Sequence, residues 1–459
     1  MGNTAAIGTR DLGVDETIER RTYTPLTTLQ RVFLWMYILS FCFDFKGVKG
    51  GTTVQYIYAG ASIFSTFGFF MVSQLRASSK SLRWITSYWW LYIAVTFVTV
   101  ILGTMTMTIA ISPIAYSRIV YPYILCGASL LMCQQMEARN SDAAEVVTPL
   151  VVCGIFSAFW HYYYGLHGGD TTGAGIEDVR YQILSPATPL LLAYGLAGLI
   201  ASRKITPLPL IALFISVGTI LLSITRGFII TGGVCFIVLM IYVIRDTSSG
   251  KEMVLRRLGR VLGLFAMAAV VVGGVIAVRP NTFDSWNERI FNNSGGQSVE
   301  DATYLIRMAE VSWDWQAISS NPQYLLTGKG VGAGFNHDSS YQRLIVGTVM
   351  DDEYEFFPAD CTWSYAMFSS GLIFGTMMLG IYVLPLIYVA RSIYLKEYER
   401  NPHFNYLKLV VLVCLAAYFS MIFTSAPFAE RFFGVIMGFL VGLAYWTLRV
   451  DLRSFFRAR

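Results

Sequence analysis

The chain alternates between long apolar blocks and shorter polar connections. Most of the blocks run for roughly 17–25 residues, the length an α-helix needs to cross a hydrocarbon core. Twelve are expected as spans: Arg31–Phe45, Val54–Val72, Trp84–Leu102, Ile119–Cys133, Val146–Tyr164, Thr188–Ala201, Ile205–Leu222, Phe228–Ile244, Val261–Val278, Thr362–Ala390, Tyr406–Thr424 and Phe432–Leu448. The first, fourth and sixth are short, as for helices tilted into the interface or shielded by neighbours. The pattern therefore predicts an all-α, polytopic helical membrane protein with about twelve transmembrane helices.

One polar interval stands out. Residues 279–361 separate the ninth and tenth blocks, and a connection of that length is expected to be functional or disordered. Its stretch "EDATYLIRMAEVSWDWQAISSN" carries apolar residues at Tyr304, Ile306, Met308, Val311 and Trp315, close to helical spacing. Asn321-Pro322 ends that helix. "LLTGKGVGAGFNHDSS" follows as a flexible glycine-rich turn region, then the acidic "MDDEYEFFPAD". The Trp, Tyr and Phe content marks the loop as folded. The expected organisation is a tail over 1–30, spans one to nine over 31–278, the loop over 279–361, spans ten to twelve over 362–450 and a tail over 451–459. No internal repeat is evident.

Composition agrees with the pattern: 55% of residues are hydrophobic and 14% charged, where a soluble domain carries about a quarter charged. The net charge of +5 does not argue for nucleic acid, because Lys and Arg lie between the apolar blocks. They read as topology signals. With both termini cytoplasmic, one side collects Arg20, Arg21, Arg76, Lys80, Arg83, Arg203, Lys204, Arg245, Arg256, Arg257, Arg260, Arg391 and Arg449, as the positive-inside rule requires. The loop over 279–361 then lies outside, with a medium one from Gly165 to Ala187. Seven cysteines are scattered without a CxxC, so neither a disulfide framework nor a metal site is expected. The polar N-terminus has no signal-peptide core.

On this map Arg226, in "LLSITRGFIITGG", joins the seventh and eighth spans at the outer side, away from the cytoplasmic clusters. An arginine at the bilayer edge is costly unless it snorkels or is paired. Arg180, in "IEDVRYQILSP", and Arg307, in "TYLIRMAEVSW", are also outside and embedded in apolar or aromatic sequence. Each reads either as a snorkelling side chain or as one of several guanidiniums converging on a membrane-embedded diphosphate, whose oxygens the planar fork binds bidentately. His161 and His167, in "FWHYYYGLHGGD", read as interfacial residues of an aromatic belt. "GKGVGAG" is not a nucleotide-binding P-loop, since no Lys-Ser/Thr follows it.

Four stretches in order resemble motifs of the O-antigen ligase/polymerase superfamily. "SITRGFI" is similar to its Ser-x-(Ser/Thr)-Arg-Gly element, and "VRYQILSPATPLLL" to its arginine-bearing entry to a middle span. "YLIRMAEVSWDWQAISSNPQYLLTGKGVGAGF" resembles its long periplasmic loop, and "DCTWSYAMFSSGLIFG" occupies the place of its end-of-loop motif. The resemblance covers roughly Val179 to Ala390. Asp360-Cys361 stands where ligases of the family carry His-Asn, which favours a polymerase over a ligase.

The resemblance implies a GT-C-like fold and an active site at the periplasmic face of a bacterial inner membrane. It implies an undecaprenyl-diphosphate-linked glycan as donor, membrane lipids as surroundings and a chain-length-determining co-polymerase as partner. Glycan would pass to a sugar hydroxyl, with Arg180, Arg226 and Arg307 stabilising the departing diphosphate without metal or cofactor. A base is needed at the acceptor. Asp360 reads either as that base or as a helix N-cap, and His337 either as a competing base or as a solvated loop residue. A flippase of the same lipid-linked substrate would place charges near mid-bilayer, often with matching halves. A membrane scaffold would leave the arginines incidental.

Overall fold

The computed structural model describes residues 24–43, 52–73, 78–105, 113–167, 183–201, 206–223, 225–245, helical positions within 259–277, and residues 311–330 (save 313), 361–394, 402–423 and 430–448. Among these, all regular structure is helical. The helices are α1 (Thr28–Leu39), α2 (Thr52–Val72), α3 (Lys80–Met105), α4 (Pro113–Ala138), α5 (Ala144–His167), α6 (Thr188–Ala201), α7 (Pro207–Ser223), α8 (Arg226–Arg245), α9 (Pro322–Thr327), α10 (Thr362–Tyr394), α11 (Pro402–Met421) and α12 (Arg431–Leu448).

Three stretches are long and apolar enough to cross a membrane: Lys80–Ile101 in α3, Ala144–Tyr163 in α5 and Thr362–Ser392 in α10. Shorter apolar stretches occupy α2, α6, α7, α8, α11 and α12. The first expected span is helical only to Leu39, and its 12 residues rise about 18 Å, short of a ~30 Å core.

At one end of the bundle, two carboxylates clip the helices together. Thr27 caps α1 in a reciprocal box with Gln30, and the buried Gln30 amide donates onward to Ser73 Oγ at the end of α2 (2.9 Å). Glu145, at the start of α5, accepts from Leu26 N (3.2 Å) and pairs with Arg31 (3.2 Å). Glu137, in the last turn of α4, accepts from Ser79 N at 2.9 Å, just before α3. The α4 terminus closes on Asn140 in the left-handed region (φ 57), with Ser141 N bonded back to Met136 O. That is a Schellman ending in which Asn replaces the usual Gly.

The core is held by close backbone approach. Gly434, Gly438 and Gly442 form one stripe of α12 laid on α4. A methyl at Gly434 would collide with the Pro122 carbonyl, one at Gly438 with the Cys126 carbonyl, and one at Gly442 would lie 2.5 Å from Cys133 Sγ. Small residues every four positions let two helices meet without a solvent-driven hydrophobic term. α3 runs antiparallel to α4, its Trp89 donating to Tyr123 O (2.9 Å) and stacking on Tyr92 and Tyr123.

The tenth expected span is not one continuous helix. α10 breaks at Gly371 (φ 70, ψ −177). Ala366 and Gly375 are nine residues apart, about 13 Å on a straight helix, yet a methyl on Gly375 would lie 2.6 Å from the Ala366 carbonyl oxygen. Residues 362–370 therefore fold back as a half-helix against 372–394, and the 33 residues form a helical hairpin.

Candidate functional site

The last turn of α11 and the two residues after it, Tyr418 to Phe423, form a hub. Tyr418 Oη donates to Pro186 O at 2.8 Å, just before α6. Ser420 Oγ lies 2.9 Å from Thr231 Oγ1 in the second turn of α8. Ile422 O accepts from Trp363 N (3.4 Å), and Phe423 O takes the Cys361 thiol (3.4 Å), both at the start of α10. The Tyr418 ring packs edge-on to Phe433, in the first turn of α12, at 5.2 Å. Four helix N-termini thus surround the C-terminal turn of α11.

Each helix N-terminus carries roughly half a positive charge on its unpaired amides, and four together favour an anion. They are not equally available. α6 is capped: Ser185 Oγ accepts from Ala187 N (3.1 Å). The half-helix of α10 has a carboxylate in its first turn, because Asp314 Oδ2 accepts from Ser364 Oγ at 2.5 Å. α12 opens directly behind Glu430. At α8, Thr225 turns its hydroxyl back to Ser223 O (3.1 Å), and among the described residues no side chain caps the first turn. Arg226 is the first residue of that helix.

The loop helix expected around Val311 is present over 314–319, and its buried face does not follow the apolar spacing. Trp315 is 53% exposed, while Asp314 (2%) and Ile318 (1%) are buried. Ile318 packs with Tyr365 and Phe368, flanked by Ala317, Leu325 and Met367. Asn321-Pro322 ends this segment as expected and also starts α9, with Asn321 Oδ1 accepting from Gln323 N (2.9 Å).

The glycine-rich turn is anchored by hydrogen bonds over its first residues. Lys329 N and Gly330 N donate to Phe368 O (2.8 Å) and Ser369 O (2.9 Å), the carbonyls freed by the break at Gly371. Segment 311–330 therefore grips the half-helix at both ends, by a carboxylate at its first turn and amides at its last.

Of the expected site residues, Arg180, Arg307, His337 and Asp360 lie outside the described residues, and Arg226 is described in its backbone alone. The described flanks of all but His337 converge. Pro186 touches the hub six residues after Arg180, Thr231 five after Arg226, and Cys361 directly after Asp360. Asp314, seven residues after Arg307, reaches the same half-helix.

His161 departs from expectation. It is 1% exposed, so it is not an interfacial belt residue. Its Nδ1 donates to Ser157 O (2.8 Å), and Ser157 Oγ meets Ser185 Oγ (2.8 Å), tying α5 to the cap of α6. Asp314, Ser364, Tyr418 and Ser420 were not foreseen. The available signal was a polar or acidic residue inside an apolar run.

No protein-family model matches the chain, and no curated protein matches it. The superfamily resemblance therefore rests on the motifs themselves.

Proposed function

We propose that the protein is an integral-membrane glycosyltransferase of the bacterial inner membrane, most specifically a polymerase. It transfers undecaprenyl-diphosphate-linked glycan repeat units to a sugar hydroxyl at the periplasmic face, for cell-surface polysaccharide synthesis. About twelve helices cross the membrane in a GT-C-like arrangement, with both termini cytoplasmic and the hub periplasmic. A chain-length-determining co-polymerase is its partner.

The observation that carries this reading is the convergence of four helix N-termini on α11, with the one opening at Arg226 holding no side-chain cap among the described residues. A lipid diphosphate is the membrane-borne anion that suits such a site, and fixed amides plus a guanidinium stabilise the charge that develops as it leaves. Asp360-Cys361 in place of His-Asn favours polymerase over ligase.

The test uses purified full-length protein in lipid with lipid-linked repeat units and no nucleotide. Longer lipid-linked chains are expected. Transfer to lipid A-core would reassign the protein as a ligase, and unchanged substrate with lipid scrambling would make it a flippase. Arg226→Ala is expected to lower turnover on the order of 100-fold or more, the typical effect of removing one oxyanion donor. Full activity in that variant would remove Arg226 from the reading.

A further inference from the structure

The tip of the α10 hairpin, where residues 322–330 dock, lies deep along α3. Ser370, beside the break at Gly371, has its Oγ 3.1 Å from the Tyr92 hydroxyl of α3. Tyr92 is 12 residues from Lys80 and nine from Ile101, the ends of the stretch by which α3 can cross a membrane. Along the helix axis these are about 18 Å and about 13 Å, near the middle of a ~30 Å hydrocarbon core. Helical side chains lean toward their N-terminus, here the Lys80 end, so the reach of the tyrosine does not carry the tip toward Ile101. Gly371 in turn abuts the Leu326 carbonyl, which fixes α9 at the same depth.

Backbone at that depth has no water to bond, so its polar groups need partners within the protein. The turn after α9 meets this requirement. Gly328 N donates to Tyr324 O (2.8 Å), Lys329 N to Phe368 O (2.8 Å) and Gly330 N to Ser369 O (2.9 Å). The exposed positions also change character along the segment, from polar Asn321 and Gln323 at its start to Leu326 (51% exposed) at its end. Leu372 and Ile373 (52% exposed) follow directly on Gly371 and extend that apolar surface. In water the three would form an exposed apolar patch. Against acyl chains they continue the exposed apolar side of α3 at Phe97 and Val98. Tyr324 lies two residues from Leu326, about 200° around the helix, and holds the Lys329 ammonium 5.4 Å from its ring centroid. The single charged side chain of residues 322–330 thus sits on the face opposite Leu326.

We propose that residues 322–330 are a membrane-inserted element rather than a surface loop. Leu326, with Leu372 and Ile373, faces the acyl chains, and the Tyr324–Lys329 face turns away from them to water. Nitroxide labelling of the full-length protein in phosphatidylethanolamine–phosphatidylglycerol vesicles tests this, because all seven native cysteines are buried. Relaxation by oxygen, which concentrates in hydrocarbon, is compared with relaxation by a water-soluble nickel chelate. Phe97→Cys on α3 is the lipid reference and Ser320→Cys the water reference. Leu326→Cys is expected to match Phe97→Cys, with high oxygen and suppressed chelate relaxation, and Lys329→Cys to match Ser320→Cys. An oxygen-to-chelate ratio at Leu326→Cys nearer to that of Ser320→Cys overturns the insertion. If Leu326→Cys fails to fold, Ile373→Cys decides by the same comparison, since Gly371 ties both to one depth. A Lys329→Cys ratio nearer to that of Phe97→Cys overturns the two-faced placement. The measurement needs no substrate, so its outcome is separate from the transferase reading.

Discussion

At the scale of single residues, Gly328 and Gly371 decide how the loop meets the bundle. Both sit at φ near +70 (72 and 70) with ψ −177, a region populated almost only by glycine. They also face each other: a methyl on Gly371 would strike the Leu326 carbonyl, and one on Gly328 the Ser370 amide. Gly371→Ala should therefore destabilise the hairpin by about 1–3 kcal/mol from backbone strain alone, with the collision added. The expected readout is a lower thermal midpoint and faster protease cleavage within 322–330. An unchanged midpoint with full protection would mean the half-helix does not fold back as described. None of this was legible in "FSSGLIFG", because glycine is common inside membrane helices and hydropathy runs unbroken across Gly371. The burial of Asp314 and the exposure of Trp315 were hidden for a related reason. Val311 and Trp315 belong to the apolar positions at helical spacing, but the buried positions, Asp314 and Ile318, lie one residue to the side of Trp315, about 100° of helix. An exposed Trp is well placed where a helix meets a membrane surface.

At the scale of elements, apolar blocks announced the helices, whereas pairing depended on features that hydropathy does not weigh. α4 and α12 run parallel and pack through Gly434, Gly438 and Gly442, although about three hundred residues separate them in sequence. The four-residue glycine spacing was visible, but nothing local says which helix it meets. The contrast with glycines that face open space makes this testable. Gly438→Ala places a methyl against the Cys126 carbonyl, while Gly218 in α7 has nothing within 4 Å of an added methyl. Gly438→Ala is expected to lower the thermal midpoint and the yield of monodisperse protein. Gly218→Ala should leave both unchanged or raise the midpoint slightly, since Ala exceeds Gly in helix propensity by roughly 1 kcal/mol. Equal behaviour of the two variants would remove the close-approach account of the α4–α12 pair.

At the scale of the whole molecule, the two ends of the bundle differ in kind. One is closed by Glu137 and Glu145 bonded to helix starts and to Arg31. The other gathers helix N-termini and the docked 311–330 segment around Tyr418 to Phe423. By the positive-inside rule, the basic residues between apolar blocks predict the first end in the cytoplasm and the hub outside. The sequence pattern predicts this orientation and sets Arg226 between two apolar blocks, where α8 begins, but the convergence required knowing which helices neighbour α11. Cysteine labelling can test the orientation with little background, because all seven native cysteines are buried. Thr24 and Ser320 are exposed at opposite ends. In intact cells, a membrane-impermeant maleimide should modify Ser320→Cys and spare Thr24→Cys, which reacts only after permeabilisation. The reverse pattern would turn the molecule over and place the hub in the cytoplasm. There a lipid-linked glycan awaiting polymerisation would not meet it, and the transferase reading would fall with the orientation.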